Sequence, residues 1–237
     1  MLPHPNHLGG DIQKDLRVAL LLPCYNCVPE IEGVLRDYLR FFGGGDIFVV
    51  DDGSSAGGLE GLRERFGFNL LKHERNRGKG AALRTGFAEI LRRGYDYVLT
   101  ADADGQHPAE FYPAFLKMIP HYDMVVGSRR SEMGRMPLHR RLSNRITSTF
   151  ISVMVGRRVE DSQSGFRLIG THVLRAVRLR RSRYDMESEL LVKALWMGFR
   201  VAFVPITVVP SSKSFIDPIR DVARAVSLAA ELICARA

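Results

Sequence analysis

The apolar positions fall into short blocks with two alternating rhythms. Arg17 to Leu22 (RVALLL) is an unbroken apolar run closed by Pro23, which predicts a strand buried on both faces. From Pro29 to Phe41, residues Ile31, Val34, Leu35, Tyr38 and Leu39 recur at helical spacing, and the glycines at 43–45 stop the helix. Asp46 to Val50 and Phe68 to Leu71 read as further strands. Lys79 to Arg93 reads as a helix with Ala82, Leu83, Phe87, Ile90 and Leu91 on one side. A strand at Tyr95 to Thr100, a helix at Pro108 to Met118 and a strand at Asp123 to Val126 follow. In the second half, Leu138 to Val155 is expected to be a helix with Leu142, Ile146, Phe150 and Val153 in one stripe and Arg140, Arg141 and Arg145 off it. A loop at Asp161 to Arg167, a helix at Met186 to Met197 and a strand at Val201 to Ile206 come next. The last helix, Ile216 to Ile233, is amphipathic and is expected to dock on the core; lying on a membrane is its minority reading.

Strand and helix alternating at this cadence predict an α/β fold with a parallel, doubly wound sheet. Ligands in such sheets bind outside the carboxyl ends of the strands. Those ends carry the polar, glycine-rich segments PCYNC, DDGSS, ADADGQH and GSRR.

The 237 residues, 46% apolar and 25% charged, exclude wholesale disorder and suffice for a real core. We expect a flexible segment at 1–15 and one domain at 16–237. No leader and no membrane span is expected, since the longest apolar runs are too short. The net charge of +8 points to anionic partners. It is concentrated: Arg129 to Arg183 holds fourteen arginines, no lysine and three acids. That segment reads as a phosphate- or lipid-facing surface, with a solvated basic face as the plainer reading. Three cysteines are an odd number, so no disulfide framework is expected and a reducing cytoplasm is the default. The Cys24-Tyr25-Asn26-Cys27 spacing raises thioredoxin-like redox chemistry and zinc as minor readings.

Asp102 and Asp104 follow an apolar strand, and a period of two would place both carboxylates on one side. Such a pair suits Mg²⁺ or Mn²⁺, which would bridge ligand phosphates; a polar strand end is the rival reading. Asp51, Asp52 and Gly53 also end a strand, where aspartate can accept hydrogen bonds from a base or ribose and glycine admits close backbone approach. Asn76-Arg77-Gly78-Lys79-Gly80 opens a helix and suits an anion, without matching a Walker or dinucleotide fingerprint.

LLPCYN (21–26), VVDDGS (49–54), NRGKGAALRTGF (76–87), ADADGQHP (101–108), VVGSRR (125–130), DSQSGFR (161–167) and the run from 184 to 206, in this order, resemble the family 2 glycosyltransferases, most closely the dolichol-phosphate mannosyltransferase-like branch. The resemblance implies a GT-A fold: a three-layer α/β/α sandwich with a mostly parallel, Rossmann-like central sheet. The nucleotide-binding half would span about 16–130 and the acceptor-binding half about 131–237. It implies a nucleotide-sugar donor, a divalent metal and inversion at the anomeric carbon. Pro23, Tyr25, Asn26, Asp51, Asp52, Gly53 and Lys79 would serve the nucleotide. Asp102 and Asp104 would hold ribose and metal, with Gln106 completing the metal site, and Arg129 would contact the donor. Arg140 or Arg141, Ser143, Arg167 and Lys213 would meet the acceptor phosphate. Two departures stand out. Cys27 replaces the glutamate of P-x-Y-N-E, with Glu30 the nearest substitute, and the loop before Lys213 is short.

The expected reaction moves a sugar from a UDP- or GDP-sugar to a polyprenyl phosphate. A phosphate monoester, with a second pKa near ~6, is nucleophilic at neutral pH without a general base. The alternative is a hydroxyl acceptor on a glycolipid or polysaccharide, served by Asp161, Glu187 or Glu189 as base; Glu189 could equally be a helix-face residue. A sugar-phosphate nucleotidyltransferase lacks support because the glycine-rich N-terminal loop is missing. Nucleic acid is not expected as a partner, because aromatic residues are sparse among the arginines. The expected location is cytoplasmic, with peripheral contact at the inner face of the membrane or with a membrane-protein partner.

Overall fold

A computed structural model describes residues 16–130, 138–182 and 185–207, without the side chains of residues 138–140 and 143. The segment 1–15, Lys213 and the helix expected at Ile216 to Ile233 lie outside the described residues. The strands are β1 (Val18–Cys24), β2 (Ile47–Asp51), β3 (Asn69–Lys72), β4 (Tyr97–Thr100), β5 (Met124–Ser128), β6 (Arg167–Gly170) and β7 (Val201–Pro205). The helices are α1 (Val28–Tyr38), α2 (Leu59–Phe66), α3 (Lys79–Arg92), α4 (Tyr112–Leu116), α5 (Leu138–Val155), α6 (Thr171–Ala176) and α7 (Asp185–Trp196). Elements α2, β6 and α6 have no counterpart in the sequence pattern. Only Leu59 of α2 is buried, and β6 and α6 are too short to display a period.

The seven strands form one sheet in the order β3-β2-β1-β4-β6-β5-β7. All neighbours are parallel except β6, which runs antiparallel to both β4 and β5. The alternation along β1 explains the layers. Ala19 and Leu21 face one core with residues of α3, α6 and α7, while Leu20, Leu22 and Cys24 face the other with residues of α1 and α4. The strand continues through Pro23, where a break was expected. Leu21 pairs with Thr100 at the end of β4, so the N–H that Pro23 lacks has no ladder partner to miss.

The expected nucleotide and acceptor halves are interleaved. The β6 strand inserts between β4 and β5, pairing Thr100 and Val126 with the same residue, Arg167. Because β6 is antiparallel, the loop feeding its start arrives at the carboxyl ends of β4 and β5.

The α5 helix carries the expected apolar stripe but turns it outward. Asn144, Thr147, Ser148 and Ile151 are buried, whereas Leu142 (56%), Ile146 (45%), Phe150 (38%) and Val153 (79%) are exposed. The cause is the loop at 161–162, which offers polar groups instead of an apolar surface. Asn144 Nδ2 donates to Asp161 Oδ1 (3.1 Å), and Ser148 Oγ accepts from the Ser162 N–H (3.1 Å). Buried polar groups must be paired, so the polar stripe turns inward. Ile146→Ser should therefore leave stability within about 0.5 kcal/mol, while Ile151→Ala should cost about 2–5 kcal/mol; urea unfolding of both variants checks this.

Candidate active site

The polar segments converge at the carboxyl ends of β1, β2, β4 and β5. After β1, Tyr25 is half exposed, and Asn26 takes a positive φ of 51°. The Asn26 N–H donates to Ser54 Oγ (2.9 Å), and Asn26 Oδ1 accepts from the Ser55 N–H (3.0 Å), joining this loop to the one after β2. Cys24 and Cys27 are joined by a disulfide, a single local bridge where no disulfide framework was expected. The CxxC brackets a two-residue bend between a strand end and a helix start, and the bend brings the sulfurs together.

Asp51 Oδ1 accepts from the Ser54 N–H (2.9 Å), the geometry of a local turn. Asp52 points inward. Its carboxylate accepts from the N–H groups of Arg77 (2.9 Å) and Gly78 (2.7 Å) and meets His73 Nδ1 at 2.7 Å. Asp52 thus holds the turn ahead of α3 from inside. Gly53, at φ 75°, lets the two loops touch: a Cβ there would lie 2.4 Å from the Arg75 carbonyl carbon. The close backbone approach expected at Gly53 is therefore to this chain's own loop.

Lys79, in the first turn of α3, lies 2.5 Å from Asp102 Oδ1 and 3.0 Å from Glu187 Oε1. Burial alone would lower the ammonium pKa, but the two carboxylates outweigh it and raise it. Burial opposes the charge of Asp102, yet the Lys79 ammonium outweighs it and, with Arg129, lowers the carboxyl pKa to about 2. Gly165 completes the packing, since a Cβ there would lie 2.8 Å from both Lys79 Nζ and Glu187 Oε1. His107 stacks on Phe166, and its Nδ1 accepts from the Asp102 N–H (3.0 Å). Burial holds its pKa below the usual value, so it serves as a neutral acceptor.

The β4 strand ends at Thr100, so Asp102 and Asp104 lie beyond the alternation that was expected to place both carboxylates on one side. Asp102 turns toward Lys79, while Asp104 is exposed in the turn beyond. Asp104 Oδ2 lies 2.5 Å from the side-chain amide nitrogen of Gln106, and Asp104 Oδ1 accepts from the Gln106 N–H (3.0 Å). Among the described residues no three His, Cys, Asp or Glu side chains converge. The donor set still fits a hard cation. Mg²⁺ commonly takes one or two carboxylates plus substrate phosphates and water; the exposed Asp104 carboxylate is a ligand of that kind, and Gln106 would join it by turning its amide oxygen, in place of the nitrogen, toward the ion.

Arg129, just after β5, makes a two-point ion pair with Asp161: Nε to Oδ2 at 2.7 Å and Nη2 to Oδ1 at 2.9 Å. Asp161 also accepts from the N–H groups of Arg129 and Gln163 and from Asn144. Burial opposes its charge, but Arg129 and these donors hold its pKa below the usual carboxylate range. Arg167 differs from expectation. It is 1% exposed and donates to the backbone carbonyls of Ser164, Glu187 and Ser162, leaving no open face for an acceptor phosphate. Glu189 is likewise engaged: it accepts from the N–H groups of Arg180 and Arg181 and pairs with Lys193 at 2.6 Å. Arg141 is exposed on α5. The side chains of Arg140 and Ser143 lie outside the described residues, as does Lys213.

The glycosyl transferase family 2 model matches residues 19–178, most of the chain. The chain belongs to this family. It is 32% identical to the undecaprenyl-phosphate mannosyltransferase of Micrococcus luteus over 82% of this chain and 84% of that protein. It is 31% identical to the UDP-N-acetylglucosamine–dolichyl-phosphate N-acetylglucosaminyltransferase of Methanococcus voltae, covering 81% and 85%. The fold is shared with glucosyl-3-phosphoglycerate synthase of Mycobacterium tuberculosis in complex with UDP (TM-score 0.71, 18% identity, covering 91% of this chain and 81% of that one).

In this family 2 glycosyltransferase, His73, His107, Asn144 and Gly165 also build the site, beyond the residues expected from the sequence. His107 and Gly165 stand inside quoted motifs, ADADGQHP and DSQSGFR, so the motif was the available signal. His73 and Asn144 carried none. Asp161→Asn should cost about 3–5 kcal/mol at pH 7 by leaving the Arg129 guanidinium unpaired. Because the folded-state pKa of Asp161 is depressed, its stabilisation is present above the unfolded pKa of about 3.9 and is lost as pH falls through the folded value. The gap between wild type and variant in urea unfolding should therefore narrow below about pH 4.

Proposed function

We propose that this glycosyltransferase moves a sugar, with inversion, from a nucleoside diphosphate sugar to the phosphate of a polyprenyl lipid. One observation favours a phosphate over a hydroxyl acceptor: each carboxylate considered as a base is already held by a cation. Asp161 pairs with Arg129, Glu187 with Lys79, and Glu189 with Lys193. A phosphate acceptor needs no base, because it is largely dianionic at neutral pH. The names of the Micrococcus and Methanococcus relatives support the same acceptor class.

An acceptor phosphate oxygen attacks the anomeric carbon as the bond from that carbon to the diphosphate oxygen breaks. Tyr25 and Asn26 offer a face and polar groups to the nucleobase, with Pro23, Asp51, Asp52 and Gly53 shaping the two loops beneath it. Asp102, fixed by Lys79, would meet the ribose. Asp104 and Gln106 would hold a divalent cation, which when bound neutralises charge on the leaving diphosphate. Arg129 adds positive charge beside Asp102. Glu187, Glu189 and Arg167 are positioning residues. Arg140, Arg141, Ser143 and Lys213 are assigned to the acceptor phosphate.

The exposed apolar stripe of α5 is flanked by exposed Arg141, Arg145, Arg157 and Arg158, and α5 carries no acidic residue. An apolar face bordered by arginines is complementary to an anionic bilayer surface, where the acceptor resides. No helix among the described residues is long and apolar enough to cross a membrane.

Transfer should proceed with polyprenyl phosphate and not with the parent alcohol. Asp104→Ala should lower the rate at least about a hundredfold and remove the Mn²⁺-dependent rise in melting temperature with the nucleotide; product from the alcohol, or an unimpaired variant, would overturn the reading. Ile146→Ser/Phe150→Ser should weaken cosedimentation with vesicles containing phosphatidylglycerol, while pure phosphatidylcholine vesicles should bind poorly from the start.

A further inference from the structure

We infer that Cys24 and Cys27 form a thiol–disulfide exchange site that sets the order of the Tyr25–Asn26 loop, and through it the affinity for the nucleotide; the affinity half rests on the donor-site reading above. Cys24 is 2% exposed at the end of β1, and Cys27 is the partly exposed N-cap of α1. Their bond spans only Tyr25 and Asn26. Asn26 is the one non-glycine residue at positive φ among the described residues, a minor backbone state that asparagine adopts more readily than most side chains but that a free chain populates only in part. Two restraints keep it there: the disulfide, and the hydrogen bonds to Ser54 and Ser55.

The two sulfurs are not equivalent. Cys27 is the more exposed of the two residues, so an incoming thiolate reaches it first, and it sits at the amino end of an eleven-residue helix, whose dipole favours the Cys27 thiolate released in the second step. The reductant is a thiol, either a small monothiol or a protein dithiol. Its thiolate attacks Cys27 Sγ, the bond to Cys24 breaks, and Cys24 leaves as a thiolate that takes up a proton. A second thiol then attacks the sulfur joined to Cys27. It releases the Cys27 thiol and an oxidised reductant, for a total of two electrons and two protons transferred to the protein.

With the bond closed, the loop is ordered before a nucleotide arrives. With it open, binding must also supply the order of two residues, and affinity falls. The serine hydrogen bonds persist in both states, so the expected change is about tenfold, near 1.4 kcal/mol.

The test uses the full chain with Cys234→Ser, so that the third cysteine cannot exchange. Thiol counting by mass defines the oxidised and dithiothreitol-reduced forms. UDP and GDP binding with Mn²⁺ is then measured by calorimetry, and hydrogen exchange is followed across residues 24–28. We expect about tenfold weaker nucleotide binding and faster exchange on reduction, and a Cys24→Ala/Cys27→Ala variant that matches the reduced form and ignores reductant. Equal affinity and exchange in two forms with verified thiol counts would overturn the inference, as would failure of a disulfide reagent to close the bond. If neither nucleotide binds in either form, the donor-site reading fails with the affinity half. The exchange data then decide the rest: faster exchange on reduction supports a redox-set loop, and unchanged exchange overturns it.

Discussion

The buried ammonium of Lys79 is the constraint on which the rest of the site depends. It opens α3, and its two carboxylate partners come from the turn after β4 and from α7. A charge withdrawn from water is tolerable only when paired, and a pair is favourable only when its geometry is held. The surroundings provide that hold. Gly165 leaves space for the three side chains, Arg167 fastens the loop before β6 to the backbone of α7, and Asp52 secures the turn preceding α3. Several motif residues therefore serve one another before they serve any ligand.

This arrangement separates two kinds of acid. Asp102, Asp161, Glu187 and Glu189 are each committed to a cation inside the protein. Asp104 stands outside, facing solvent with Gln106. Fixed internal charges cost no reorganisation when a ligand arrives, and the exposed carboxylate remains available to one. A site so divided suits chemistry in which positioning and charge neutralisation suffice and the nucleophile brings its own negative charge.

The antiparallel β6 strand makes this division possible. A parallel strand at that place would deliver its incoming loop to the far edge of the sheet. Reversal brings residues 161–166 to the edge where β4 and β5 end, so Asp161 can reach Arg129 and Thr100 Oγ1 can donate to the Gly165 carbonyl (2.7 Å). The same loop presents polar groups to α5 and turns its polar face inward, which leaves an apolar stripe outside.

Much of this was legible in the chain. The buried strands are continuous apolar runs because both faces of the sheet are covered, and the site lies at their carboxyl ends because the polar, glycine-rich segments follow them. The residue types at positions 25–26, 51–53, 79, 102–106 and 129 were evident for the same reason. Direction was not. Whether Asp52 and Arg167 face a ligand or the interior, which stripe of α5 is buried, and that β6 exists and runs backwards depend on partners distant in sequence. A helical period fixes that two faces exist, and a carboxylate fixes that a donor is needed. Only the assembled neighbours decide which face turns inward and which donor is met, because burial selects the arrangement that leaves the fewest polar groups unpaired.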